Sequence, residues 1–318
     1  MTRRLTPLLA AASLALGTSG CAGPASGPPD DTGGAAIDTV LQVGGTGLFV
    51  HAEGAGEPIV VVHGGPLLDH GHLVEPLRPL ADRFRLVFYD QRLSGRSEGR
   101  VDSASVTLDR FVEDIEGIRL ALGLDRLHLM GHSWGGLIAM KYAIAHPDQL
   151  RSLVLVSPLP PSSTLWQDEQ RAQAADLQPE DTAGMGALRA SPGMEAGAPT
   201  VIERLLQLSF RAQLHDPVLA DSLRFHIPTD YRDRSRQFSL LAGDLQSFDL
   251  FPDLAGLGAP TLVVYGASET GAAPTADALR ATIPDVWVAV IPEAGHFAYF
   301  EKPSAFRTVL TSFLEELR

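Results

Sequence analysis

Cysteine, lysine and long apolar runs are what this 318-residue sequence has least of. With one cysteine, Cys21, there is no disulfide framework to build a fold around. Two lysines, Lys141 and Lys302, and a formal net charge of −13 leave no basic face for a polyanion, which excludes nucleic acid as a partner. No cluster of His, Cys, Asp and Glu has metal-site spacing, so no metal or organic cofactor is expected. There is no internal repeat. The apolar stretch near the N-terminus, from about Leu8 to Leu16, is too short to span a bilayer.

What the chain does have is 45% hydrophobic residues, enough for a large core in one sizeable domain carrying an insertion. Its first 21 residues, "MTRRLTPLLAAASLALGTSGC", pair Arg3 and Arg4 with that short apolar stretch and small residues before Cys21, the pattern of an export signal. "TSGC" resembles the lipobox of bacterial lipoproteins, which implies that Cys21 is lipidated and becomes the mature N-terminus. The expected location is the bacterial cell envelope, with lipid-anchored Cys21 as the only membrane contact; otherwise the protein is periplasmic or secreted. Residues 22–36, rich in Gly, Pro and Ser, suit a flexible tether.

From Ile37 the pattern alternates. "TVLQV" and "LFVHAEG" read as an opening hairpin, and "PIVVVHG", "RLVFYD", "RLHLMGHS" and "LRSLVLVSP" are short apolar runs of the kind buried in a parallel sheet. Helical spacings fall between them. The rhythm stops at Pro158 and resumes with "PTLVVYG" and "VWVAVIP", which predicts an α/β fold with a mostly parallel, doubly wound sheet and a helical lid inserted after the sixth strand. The core is expected over 37–159 and 252–318, and the lid over 160–251.

The strongest chemical signal is Gly-x-Ser-x-Gly at Gly131, Ser133 and Gly135, placed between a strand and a helix. That context is what a nucleophile elbow requires, because small neighbours permit the tight turn that exposes the serine hydroxyl near a helix N-terminus. Serine needs a base at neutral pH. Of ten histidines, His296 in "EAGHFAYFEKP" stands out, because the loop after the last strand opens on the same sheet edge as the elbow. Stabilising an oxyanion needs N–H donors, and "VVHGGP" supplies glycines after a strand; the expected donors are the amides of Gly65 and Trp134, with Gly64 close to substrate and His63 holding the loop.

The motifs "HGGP", "FYDQRLSGRS", "LGLDRLHLMGHSWGGLIAMKYAIAHPDQLRSLVLVSP" and "GHFAYFEKP" resemble the α/β-hydrolase superfamily, and within it the proline iminopeptidase family of serine peptidases. Leu67 and Leu93 stand where that family has glycine, and His132 stands where its elbow has a smaller residue. The resemblance implies a triad in the order Ser, acid, His, with the acid three residues after the glycine that ends "LVVYG". That residue is Glu269, a glutamate in an aspartate's usual place; Asp244, Asp249 and Asp253 are the rivals. It gives Asp90, Arg92, Gly95 and Ser97 a structural, turn-forming role. It also implies acidic lid residues that recognise a free amino terminus, for which Glu203 is the choice. Trp166, Phe210, Phe225 and Tyr231 of the lid are candidates for an apolar pocket, with core packing as the alternative. The resemblance implies acyl-enzyme hydrolysis by a proline iminopeptidase-like aminopeptidase that releases N-terminal residues from small peptides, the partner being a small-molecule or short-peptide substrate, with a carboxylesterase or other small ester or amide hydrolase as the alternative and a catalytically silent surface protein as the contrasting class.

Overall fold

Runs of β-branched and aromatic residues with little polar interruption become the strands of one sheet, because only strands buried on both faces tolerate that composition. The computed structural model describes residues 36–317. The expected signal segment, Cys21 and all but the last residue of the tether lie outside the described residues. The strands are β1 (Ile37–Val43), β2 (Thr46–Glu53), β3 (Glu57–Val62), β4 (Phe84–Tyr89), β5 (Leu127–His132), β6 (Leu150–Val156), β7 (Thr261–Gly266) and β8 (Val286–Ile291). They lie in the order β1-β2-β4-β3-β5-β6-β7-β8. β1 and β2 form an antiparallel hairpin, β2 pairs antiparallel with β4, and every later pairing is parallel. β5 and β7 are buried at every position, whereas edge strand β1 alternates between half-buried and exposed, as a strand with one solvated face must.

Successive residues of a strand face opposite sides. Val60 and Val62 therefore pack with α2 (Leu108–Ala121) and α3 (Trp134–Ala145), while Ile59 and Val61 pack with α1 (Gly71–Leu77) and the C-terminal helix. α3 is apolar nearly all round and almost wholly buried, the state such a helix requires. Gly135 lets it press onto the sheet, since a Cβ there would lie 2.2 Å from the Val62 carbonyl oxygen.

Between β6 and β7 the chain is helical: α4 (Ser163–Asp176), α5 (Pro179–Arg189), α6 (Pro192–Glu195), α7 (Pro199–Phe210), α8 (Tyr231–Phe238), α9 (Ala242–Gln246) and α10 (Phe251–Leu254). Proline in the first turn starts α5, α6, α7 and α10, where its missing N–H has no intrahelical acceptor to lose. Ser162 caps α4 by accepting from the Leu165 N–H. Entry and exit of the segment are tied together by a bridge between Ser162 and Asp249 and by the Leu250 N–H donating to the Pro161 carbonyl at 2.8 Å. α11 (Ala272–Thr282), α12 (Ala298–Glu301) and α13 (Pro303–Glu316) complete the helices among the described residues. The architecture is the expected one: a mostly parallel sheet of eight strands, helices on both faces, and helices inserted after the sixth strand.

β3 is followed in sequence by β4 on one side and neighbours β5 on the other, so the loops leaving β3 and β5 part company and open a crevice at the C-terminal sheet edge.

Candidate active site

Register places the parts. Val62 pairs with Gly131, so the His63–Gly65 loop after β3 lies beside His132 and Ser133 after β5. Ser133 sits at φ 53°, ψ −118°, a positive-φ conformation uncommon for a residue with a side chain, directly before α3. The fold holds it there: its N–H donates to the Val156 carbonyl at 3.0 Å, and its own carbonyl accepts from Gly136 and Leu159 at 2.8 and 2.9 Å. Gly64 allows the close approach, because a Cβ there would be 2.9 Å from the Ser133 Cβ and nearer still to the His132 ring. Gly65 adopts φ +63°, and a Cβ would strike Leu68 at 2.2 Å. Trp134 opens α3, so its N–H belongs to the first turn, whose donors lack intrahelical acceptors. A charge developing between Gly65 and Trp134 would meet the positive end of the helix.

His296 and Ser133 line the same cavity, about 370 Å³ in volume. The His296 Nδ1–H donates to Glu269 Oε1 at 2.6 Å, which fixes the tautomer and leaves Nε2 as the basic nitrogen. Glu269 Oε2 accepts from the Ser157 hydroxyl at 2.7 Å, so both carboxylate oxygens are engaged. Burial alone would pull the His296 pKa down; the charge and hydrogen bond of Glu269, with the charge of Glu169 added, more than offset it and hold the imidazole above its ordinary value. Asp244 instead accepts from the Leu108 N–H, Asp249 from the Phe251 N–H, and Asp253 lies with Lys141 and His146 around a separate surface cavity. None of the three is brought to His296.

A relay of buried polar groups supports this edge. The His63 Nδ1–H donates to the Gly64 carbonyl at 3.0 Å, and its Nε2 accepts from the Gln91 N–H at 3.1 Å. The Gln91 side chain donates to the His63 carbonyl at 2.8 Å and accepts from the Trp134 indole N–H at 2.8 Å, joining the two loops that carry Gly65 and Trp134. His132 donates through Nε2 to the His296 carbonyl at 3.1 Å; burial, first, and His296, second, hold its pKa well down, so it is neutral. In the "DQR" turn, Asp90 accepts from the His70 ring at 2.6 Å and from the Arg96 N–H at 2.7 Å, and Ser97 donates to the Asp90 carbonyl at 2.5 Å. Arg92 binds Asp114 through two hydrogen bonds at 2.6 and 2.8 Å.

Glu203, expected to meet the substrate amine, is placed elsewhere by the structure. Its carboxylate accepts from the Phe225 N–H at 3.2 Å and does not line the cavity. The acid that does is Glu169 on α4, whose Oε1 accepts from Gln173 at 3.1 Å. Burial, then the neighbouring charge of Glu269, pushes the Glu169 pKa up to about 7. Of the expected aromatics, Trp166, Phe210 and Tyr231 line the cavity, whereas Phe225 walls a different one. Sequence reading passed over Glu169 in favour of Glu203 and missed Ser157 and Gln91. Only Gln91 carried a local signal, its place inside "DQR".

Three comparisons bear on this arrangement. Residues 57–180 match the family model of the α/β hydrolase fold. A proline iminopeptidase of Heyndrickxia coagulans is 27% identical over 274 residues, 83% of this chain and 92% of that protein. A proline iminopeptidase of Saccharolobus solfataricus is 24% identical over 276 residues, 83% of this chain and 87% of that protein. The crystal structure of proline iminopeptidase from Mycobacterium smegmatis has a TM-score of 0.66 to this one at 24% identity, covering 88% of this chain and 98% of the other.

Proposed function

We propose, from the premise that this chain is a serine hydrolase of the α/β-hydrolase fold similar to proline iminopeptidases, that it removes N-terminal residues from short peptides through an acyl-enzyme. The observation that carries the reading is the bond from His296 to Glu269 behind a serine held in a strained elbow, with Glu169 in the same cavity.

Ser133 Oγ attacks the scissile carbonyl while His296 Nε2 takes its proton. The oxyanion lies against the N–H groups of Gly65 and Trp134, donors whose loss individually costs about 3 kcal/mol of barrier in such sites. His296 then protonates the leaving amine, and water releases the acyl group by the same steps. Glu269 orients the imidazole and stabilises the imidazolium; Ser157 holds Glu269. Glu169 offers the substrate ammonium a carboxylate, and Trp166, Leu206, Phe210 and Tyr231 offer the side chain an apolar wall. That wall also supports the alternative, a short-chain ester hydrolase.

The test is turnover of prolyl and other aminoacyl arylamides beside short-chain aryl esters. Arylamide hydrolysis that needs a free amino terminus and disappears in Ser133→Ala supports the peptidase, and ester-only turnover refutes it. Absence of any turnover, together with no labelling by a fluorophosphonate, would mean a silent binding protein. The same reading tethers the enzyme to the cell envelope through a lipid on Cys21, supported by the "TSGC" pattern. Metabolic labelling with a radioactive fatty acid should mark the protein, and Cys21→Ser should abolish the label.

A further inference from the structure

A second cavity, about 690 Å³, lies behind the catalytic one, between α1, the segment 222–226 and the start of α13. The two cavities share one lining residue, His72. His72 is 8% exposed and packs against His132, Phe225, Phe297 and Tyr299. Neither of its ring nitrogens has a hydrogen-bond partner among the described residues, and burial, ahead of the charges of His63 and His70, lowers its pKa to about 3. It is therefore a neutral side chain set between the two cavities.

The walls are mostly apolar: Pro76, Leu223, Phe225, Phe300 and Pro303. The charged groups are unevenly matched. Asp69 is spent on the backbone, accepting from His226 and Gly71 at 3.0 and 3.2 Å, and Glu75 is paired with Arg78 at 2.7 Å. Arg224 and Arg307 have no carboxylate within ion-pair distance among the described residues. One guanidinium nitrogen of Arg224 donates to the Asp221 and Leu223 carbonyls, and Arg307 donates to the Pro76 carbonyl and the Ser304 hydroxyl, which aims both heads and leaves further N–H donors free. The loop bearing Phe225 and Arg224 is pinned in place by Glu203 and Asp69. A largely apolar cavity of this volume, with two guanidinium groups in its wall that make no ion pair among the described residues, complements one kind of small molecule.

We propose that this cavity binds an amphiphilic monocarboxylate, whose aryl or alkyl body lies against Leu223, Phe225 and Phe300 and whose carboxylate is held by Arg224 and Arg307. The site is independent of hydrolysis at Ser133 and goes beyond the peptidase reading.

Isothermal titration calorimetry of the full chain with 4-phenylbutyrate tests it, with 4-phenylbutanol as the uncharged probe. Saturable one-to-one binding is expected, at least tenfold weaker for the alcohol. Arg224→Gln, at an exposed position, should weaken acid binding severalfold, and the double change with Arg307→Gln more than tenfold. Ser222→Trp should obstruct this cavity and abolish binding, whereas Leu206→Trp, in the catalytic cavity, should leave it intact. Absence of saturable binding, equal affinity for acid and alcohol, or binding that is lost in Leu206→Trp but kept in Ser222→Trp would overturn the proposal.

Discussion

Replacing Glu269 by glutamine removes one charge and almost nothing else. The amide can still accept from the His296 Nδ1–H, now 2.6 Å from Oε1, and its other end still faces the Ser157 hydroxyl, so the fold should be unaffected. What disappears is the attraction between a carboxylate and the imidazolium formed as Ser133 loses its proton. For charge centres about 4 Å apart at an effective dielectric near 20, that attraction is about 4 kcal/mol, or roughly a thousandfold in rate. An amide turned to present its NH₂ to Nδ1 would also favour the wrong tautomer, and the loss then approaches the ~10⁴-fold found when a triad carboxylate becomes an amide. The assay is kcat and kcat/KM for an aminoacyl arylamide across pH, with circular dichroism to establish folding. Catalysis needs neutral His296, so the acid limb of kcat/KM reports its pKa. Burial lowers that pKa and Glu269 raises it above the ordinary value; without Glu269 the limb must therefore move to lower pH while the plateau falls. A plateau within tenfold of the parent, or a limb that stays or moves upward, refutes the assignment. Either outcome would leave Glu169 as the remaining carboxylate whose charge acts on His296.

Ser157→Ala frees one oxygen of Glu269 and should lower kcat about tenfold with KM unchanged, the worth of one hydrogen bond to a charged group; an unchanged kcat refutes a positioning role. Glu169→Gln should raise KM for free-amine arylamides and leave acetylated substrates and esters untouched. In the parent, Glu169 is charged above about pH 7, so amine affinity should improve as pH rises through that value and the variant should lose this dependence; equal effects on both substrate classes refute it. Arg92→Leu leaves Asp114 buried and unpaired, which should cost about 3–5 kcal/mol and lower Tm by roughly 10 °C. Burial already pushes Asp114 up to about 6 against the pull of Arg92, and removing Arg92 raises it further. A carboxyl with a raised folded-state pKa loses stability as pH climbs from its unfolded value through its folded one, so the Arg92→Leu deficit should narrow toward pH 4. A deficit that widens on acidification contradicts the pairing.

What could be read from the sequence tracks how locally each feature is encoded. Strands buried on both faces are apolar nearly throughout, so β3, β5, β6 and β7 stood out; the elbow followed from Gly-x-Ser-x-Gly after one of them, and the choice of Glu269 from the position that the α/β-hydrolase resemblance implies after another. The inserted helices carry no such mark. α4 buries none of its residues completely, so its weak periodicity did not reveal that Glu169 faces the cavity, while Glu203 lay next to buried Ile202 on a strongly amphipathic α7 and read as the better placed acid. Its carboxylate is instead taken by a backbone N–H from a loop 22 residues on, a partner that only the folded chain brings near. Ser157 is similar: nothing in "VSP" signals a role, and it acquires one because Val156 pairs with Val264, setting Ser157 at the mouth of the loop that carries Glu269. The same loop explains the glutamate. Its turn is fixed by the Glu269 N–H on the Gly266 carbonyl and the Ser268 N–H on the Ala294 carbonyl, and Gly271, at φ +83°, is packed against Glu169 of α4. On this backbone an aspartate carboxylate would end about one C–C bond, ~1.5 Å, nearer the chain than the glutamate carboxylate that meets the imidazole at 2.6 Å. The longer side chain is thus the one that fits this loop, and Ser157 on its second oxygen keeps the added rotamer freedom from loosening the contact.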